Sequence, residues 1–382
     1  MKTTNIISTA IIALMASSSI QVTEAALPGC PSNMFSYWSL DDQANPGLDN
    51  YGSHNGQVQN GATWIANGQV GGAIHFELNN QRVSIGDVRP ISTSASGGVT
   101  YAFWGKPAQT SNSEPITQVF MSKSFAYADK QGDLFCSLDY NQSEYTTRTL
   151  EVRSIIRGAG WEPSFFWATA VTGDPSIYHH VACTYDSDRL RVYFDGQLVN
   201  TADVSNNLTD TANNNPLTFG THAGDDLQNH GDMDEVAVFN RALTQQEIKK
   251  MYNNGLANLG YCGVAVSIDV KPGSFPNTVN PRNNGVIPVG ILTTTAVNNT
   301  NAFDAATVDP NTLLFGRTGI EASAVHSAIE DVNKDGYPDM ISQFRTQNTD
   351  IQCRTKSVIL TGKTFDGTPI KGIDALSTVG CK

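Results

Sequence analysis

Short apolar and aromatic runs recur along this chain between turns rich in Gly, Asn and Asp. Arg82-Val83-Ser84-Ile85, Val99-Thr100-Tyr101-Ala102-Phe103-Trp104, His180-Val181-Ala182-Cys183-Thr184-Tyr185 and Leu190-Arg191-Val192-Tyr193-Phe194 are examples. Runs of this length, bounded by turn residues and rich in β-branched and aromatic side chains, predict strands of a sandwich. Asp195-Gly196 joins two such runs, and both residues tolerate positive φ, so a tight hairpin is expected there. One segment reads as helix. Thr244 followed by Glu247 is a capping box, Ile248, Met251 and Tyr252 form an apolar face, and Gly255 is the expected stop. Beyond it strands resume at Val264 to Val270, Val286 to Leu292, Met340 to Phe344 and Ser357 to Leu360, with Pro272, Pro276, Pro281 and Pro288 making the entry rich in loops. The pattern predicts an all-β protein of two domains, residues 27–260 and 262–382, with the helix closing the first.

The first 25 residues read as an export signal. Lys2 supplies a positive start, Ile6 to Ile20 is mostly apolar yet too short and Ser/Thr-rich to span a bilayer, and Thr23-Glu24-Ala25 places cleavage after Ala25. Export makes disulfides the default state of the six cysteines, for which fifteen pairings exist. Cys30–Cys262 is favoured because both flank one domain, and Cys353–Cys381 because it staples the last; Cys136–Cys183 follows by elimination. The formal charge is −12, and residues 26–261 carry 24 acids against 13 bases, while 262–382 carry 11 against 10. That excess disfavours nucleic acid and anionic membrane as partners and suits cations or neutral ligands. No later segment is apolar enough for membrane insertion.

Asp331-Val332-Asn333-Lys334-Asp335-Gly336-Tyr337-Pro338-Asp339 is the densest candidate chemistry. Side-chain oxygens at alternate positions, a Gly for the sharp turn and the Tyr337 carbonyl are what calcium (Ca²⁺) asks of a loop. The EF-hand Glu is missing, since Ser342 stands in its place, so a calcium loop running into a strand is expected, holding the ion as a structural clip. The bland reading is an acidic turn without an ion. No G-x-S-x-G and no phosphate-binding glycine loop occurs.

Several segments resemble a known family. Trp38-Ser39-Leu40-Asp41-Asp42, Asp49 to Gly56, Asn60 to Trp64, Gly71 to Phe76, Tyr178 to Asp186 and Gly231 to Leu243 follow, in order, the pattern of laminin G-like, concanavalin A-like jelly-roll domains. Tyr51, Ser53 and Phe76-Glu77 depart from it. From Ser267 onward, Ile268 to Ser274, Gly285 to Leu292, Glu330 to Asp339 and Leu360 to Gly367 resemble a module of environmental bacterial surface proteins. The first resemblance implies a concanavalin A-like jelly-roll sandwich, followed here by a smaller β-sandwich-like domain. It also implies a second calcium site built from Asp41, Asn50, Asn55 and Asp234, an all-oxygen set. The alternative has Asp41 capping a turn and Asp234 paired with Arg241.

Sandwich glucanases of related fold carry paired carboxylates on one strand, as retaining hydrolysis requires. Alternation along Asp232, Asp234 and Glu235 puts the first two on one face and Glu235 on the other, an incomplete set. His179 and His180, adjacent on a strand, face opposite sides and read as structural. Trp161, Phe165, Phe166 and Trp167 form an aromatic cluster readable as a sugar platform or as core and edge cover. The expected function is an exported, calcium-stabilised, non-catalytic binding or adhesion protein whose partner is a glycan or an extracellular surface protein. A glycoside hydrolase and a purely structural surface protein are the alternatives.

Overall fold

The computed structural model describes residues 29–381 apart from 78–79, 89–97, 109–118, 124–133, 143–147, 158–163, 204–214, 222–229 and 296–301. The expected export segment 1–25, Trp161 and Pro163 fall outside the described residues, as do the side chains of Phe165, Phe166 and Trp167.

Two antiparallel sheets form the first half. One runs Gln197–Asp203, Arg189–Phe194, His179–Tyr185, Val99–Pro107, His230–Phe239, Ala73–Glu77, Thr63–Ile65, with Met34–Trp38 also pairing along His230–Phe239. The other runs Ser164–Val171, Arg148–Arg157, Leu134–Gln142, Val119–Ser122, Leu217–Phe219, Arg82–Gly86, Gln57–Gln59. Trp38, Phe76, Tyr101, Phe103, Phe219 and Val238 fill the space between them. The Cys136–Cys183 bond joins a strand of each sheet inside that core, both residues being wholly buried.

Strand alternation then sends Ala102, Trp104, Ala182, Ala237 and Phe239 to the other side of the first sheet, its outer face. These would be exposed apolar groups were it not for the helix α1 (Gln245–Leu256), which lays Ile248 and Met251 over them. Both halves of the capping box form, Glu247 N–H to Thr244 Oγ1 and Thr244 N–H to the Glu247 carboxylate. Gly255 does not stop the helix, contrary to expectation. It is buried within it, where a Cβ would lie 2.3 Å from Cζ2 of Trp104, and the turn out comes at Asn258 with φ 53°. The glycine is there for close approach to an indole. The Asp195-Gly196 hairpin has positive φ at both residues, as expected.

Cys30–Cys262 ties the chain before the first described strand to the segment after α1. Beyond it lies an eight-stranded sheet in the order Val264–Ala265, Pro369–Ala375, Ser357–Thr364, Val308–Gly316, Ala322–Glu330, Asp339–Arg345, Val286–Ile291, Ile268–Val270. The run expected as one strand, 264–270, is two short ones that pair at opposite ends of this order, so the chain itself bridges the two edges. Phe315 and Phe344, 5.0 Å apart, centre a core separate from that of the first half. Cys353–Cys381 clips the end of the chain, and all three bridges have the expected pairing. Among the described residues no helix is long and apolar enough to cross a membrane.

Candidate functional site

The 331–339 loop enters the strand Asp339–Arg345, as its sequence indicated. Asp331 accepts the N–H groups of Asp335 (3.1 Å) and Gly336 (3.1 Å), Asn333 Oδ1 that of Asp335 (3.0 Å), and Asp335 Oδ1 that of Tyr337 (2.9 Å). Lys334 and Gly336 take positive φ to close the turn. Asp331, Asn333 and Asp335 are exposed and share one small loop. Asp339 differs: it is wholly buried, and its two oxygens accept N–H from Thr293 (2.7 Å) and Val332 (3.0 Å). Among the described residues no three His, Cys, Asp or Glu side chains converge as a metal-binding group.

The four residues expected at a second calcium site fall into two pairs. Asn50 Oδ1 accepts from Ser39 N–H (2.9 Å) and Asn55 Oδ1 from Asp49 N–H (2.9 Å), so both staple the opening turn. The organiser of that turn is Asp49, which the sequence reading passed over. Buried, it accepts N–H groups from Tyr37, Tyr51, Gly52 and His54. An Asp ahead of a Gly-Ser turn is the signal that marks such an Asx-type staple. Asp41 and Asp234 instead hold the turn 68–72 from two sides, Asp41 accepting Gly72 N–H (2.8 Å) and Asp234 accepting Val70 N–H (2.9 Å). Arg241 does not pair with Asp234; its guanidinium forks onto Glu247, whose carboxyl it holds down at about 2.

Glu235 corrects the alternation argument. Asp234 stands opposite Trp104 but Ala237 stands opposite Ala102, so one extra residue is inserted in the central strand. Glu235 absorbs it with φ 50°, and such a bulge re-aims side chains. Its carboxylate therefore joins the outer-face cluster, where Oε2 accepts Tyr37 O–H (2.6 Å) and Tyr261 N–H (3.0 Å). Asp234 and Glu235 are both wholly inaccessible. Burial raises the Glu235 carboxyl to about 8 and, with the charge of Glu235, pushes Asp234 well above the carboxylate range. Asp41 is raised by burial too, despite its exposed flank. Asp234 and Glu235 are sealed from any sugar.

The solvent side of the same face carries a row that no local pattern announces. Thr63 stands opposite His75, His75 opposite Asp232, and Asp232 opposite Lys106. Tyr178, one residue before its strand, completes the row, with the Lys106 ammonium 5.0 Å from its ring centre. His75 Nδ1 lies 2.6 Å from Asp232 Oδ1, and Lys106 Nζ contacts Asp232 Oδ2. The imidazole and ammonium are about a third exposed while the carboxylate between them is nearly buried. Five strands at their usual spacing make the row roughly 19 Å long. His179 and His180 do face opposite ways. His179 bridges Asp195 and the Asp174 carbonyl, while His180 is buried against Trp104, and that burial lowers it to about 3.

Residues 77–249 match the family model Laminin_G_3, the Concanavalin A-like lectin/glucanases superfamily, and the all-β sandwich of this segment agrees with that match. The match takes in the 178–186 and 231–243 segments and begins after the opening turn. Among solved structures, domain 4 of AbnA, a GH43 extracellular arabinanase from Geobacillus stearothermophilus, in complex with arabinotriose, is 18% identical over 57% of this chain and 97% of that one, with a TM-score of 0.41. The binding domain of Paraclostridial Mosquitocidal Protein 1 is 12% identical over 87% and 75%, TM-score 0.44. The CBM40 of the Ruminococcus gnavus IT-sialidase bound to alpha2,3 sialyllactose is 13% identical over 46% and 94%, TM-score 0.34. No curated protein sequence matches significantly. With scores this low, the functional reading rests on the chain's own residues.

Proposed function

We propose that this is an exported, non-catalytic binding protein whose outer sheet face reads a neutral oligosaccharide. The observation that carries this is the Tyr178–Lys106–Asp232–His75 row. It sets an aromatic ring, an ammonium and an imidazole at the surface around a nearly buried carboxylate, polar groups suited to sugar hydroxyls. The hydrolase reading is disfavoured by the same strand: Asp234 and Glu235 cannot be reached, and Asp232 is held by Lys106 and His75. Three disulfides support an oxidising compartment.

Calcium belongs to this reading as a clip on the second half. The donors of the 331–339 loop are all hard oxygens, and Asp331, Asn333, Asp335, the Tyr337 carbonyl and Asp339 would hold the ion, fixing the entry to the strand Asp339–Arg345. At Asp41 and Asp234 a cation would relieve the cost of two acids crowded near Glu235. A glycan array with and without calcium tests the reading. Hits that vanish in the Tyr178→Ala variant support it; an array with no hits, or hits unchanged by that variant, contradict it.

A further inference from the structure

Between α1 and the start of the second half lies a groove of about 1040 Å³. That is at the upper end of ordinary ligand sites. Lys249, Lys250 and Arg241 line it, with Gln246, Asn253 and Asn254 supplying amides. Its single acid, Glu247, is already taken by Arg241 and the helix cap. Among the described residues, neither Lys249 nor Lys250 has a carboxylate within ion-pairing distance. Lys250 is half-buried, and that burial lowers its pKa, so its ammonium sits where an anion would be welcome. A chain of net charge −12 thus concentrates unpaired positive charge in one concave place.

We infer that this groove binds a uronate-bearing oligosaccharide, one carboxylate to each free lysine. Two ammonium groups without a carboxylate partner call for a ligand with few negative charges, as a short uronate chain has, rather than the several charges per disaccharide of a sulfated chain. The surrounding amides offer both donors and acceptors to hydroxyls. The groove's lining shares no residue with the outer-face row, and the inference does not depend on that row.

Calorimetry with trigalacturonic acid tests this on the whole folded protein. Wild type should bind it. The methyl ester, which keeps the sugar backbone but is uncharged, should bind at least about tenfold more weakly, as should the Lys249→Gln/Lys250→Gln variant at unchanged melting temperature. Raising NaCl from about 0.05 M to about 0.5 M should weaken binding. Lys106→Met should leave it untouched, which separates this groove from the outer face. No binding by wild type, equal binding of the ester, or equal binding by the double-lysine variant overturns the inference. Tighter binding of a sulfated trisaccharide than of the uronate overturns the choice of carboxylate.

Discussion

Replacing Glu235 by Gln isolates the energetic cost of the sealed acid pair. The amide keeps the two hydrogen bonds from Tyr37 and Tyr261, and its NH₂ takes the place of Oε1, which has no partner. Burial raises the folded-state carboxyl to about 8, from an ordinary 4.5 in the unfolded chain. A group raised in the fold contributes stability that is complete below the unfolded value and is lost as pH climbs through the folded one. Between these limits the folded state binds the extra proton, so stability falls by about 1.4 kcal/mol per pH unit from this group. The whole interval is worth up to about 5 kcal/mol, an upper bound for a pair that titrates together. Urea unfolding in EDTA, with disulfides intact, from about pH 5 to 8 should show wild type losing stability steeply and Glu235→Gln losing much less. Repulsion from the net charge appears in both and cancels in the difference. Parallel slopes for the two proteins would refute the reasoning.

Removing the Cys136–Cys183 bridge frees a 47-residue span and should cost about 4 kcal/mol by loop-closure entropy, read as a lower denaturation midpoint in the Cys136→Ala/Cys183→Ala variant. Gly255→Ala should destabilise by about 1–3 kcal/mol and shift tryptophan fluorescence, because the new methyl meets Trp104, although alanine is the better helix former. Calcium at about a hundred times its dissociation constant should stabilise wild type by about 2.7 kcal/mol. Asp331→Asn/Asp335→Asn should abolish the part of that gain owed to the loop; an unchanged gain would rule the loop out.

What was legible in the sequence is what neighbouring residues decide among themselves. The capping box at Thr244, the two positive-φ residues at Asp195-Gly196 and the turn of 331–339 each rest on contacts within a few positions. Period-2 alternation placed His179 and His180 on opposite sides correctly because their strand is regular. It failed at Glu235 because a bulge is a property of pairing with a second strand, and nothing in Asp234-Glu235-Val236 announces it. The Tyr178–Lys106–Asp232–His75 row is hidden for the same reason: it exists only through the register of strands far apart in sequence. Gly255 misled because a glycine near a helix end is usually a stop, whereas here an indole from another strand decides. The four residues expected at one calcium site divide, Asp41 and Asp234 meeting at the turn 68–72 while Asn50 and Asn55 belong to a turn that Asp49 organises from within.

The row on the outer face is tested most directly by titrating the best neutral glycan from the array into wild type and the Lys106→Met variant, both confirmed folded. Loss of the ammonium should weaken binding about tenfold or more, since it touches both Tyr178 and Asp232. Equal affinity in the two proteins would place the ligand elsewhere and contradict the account.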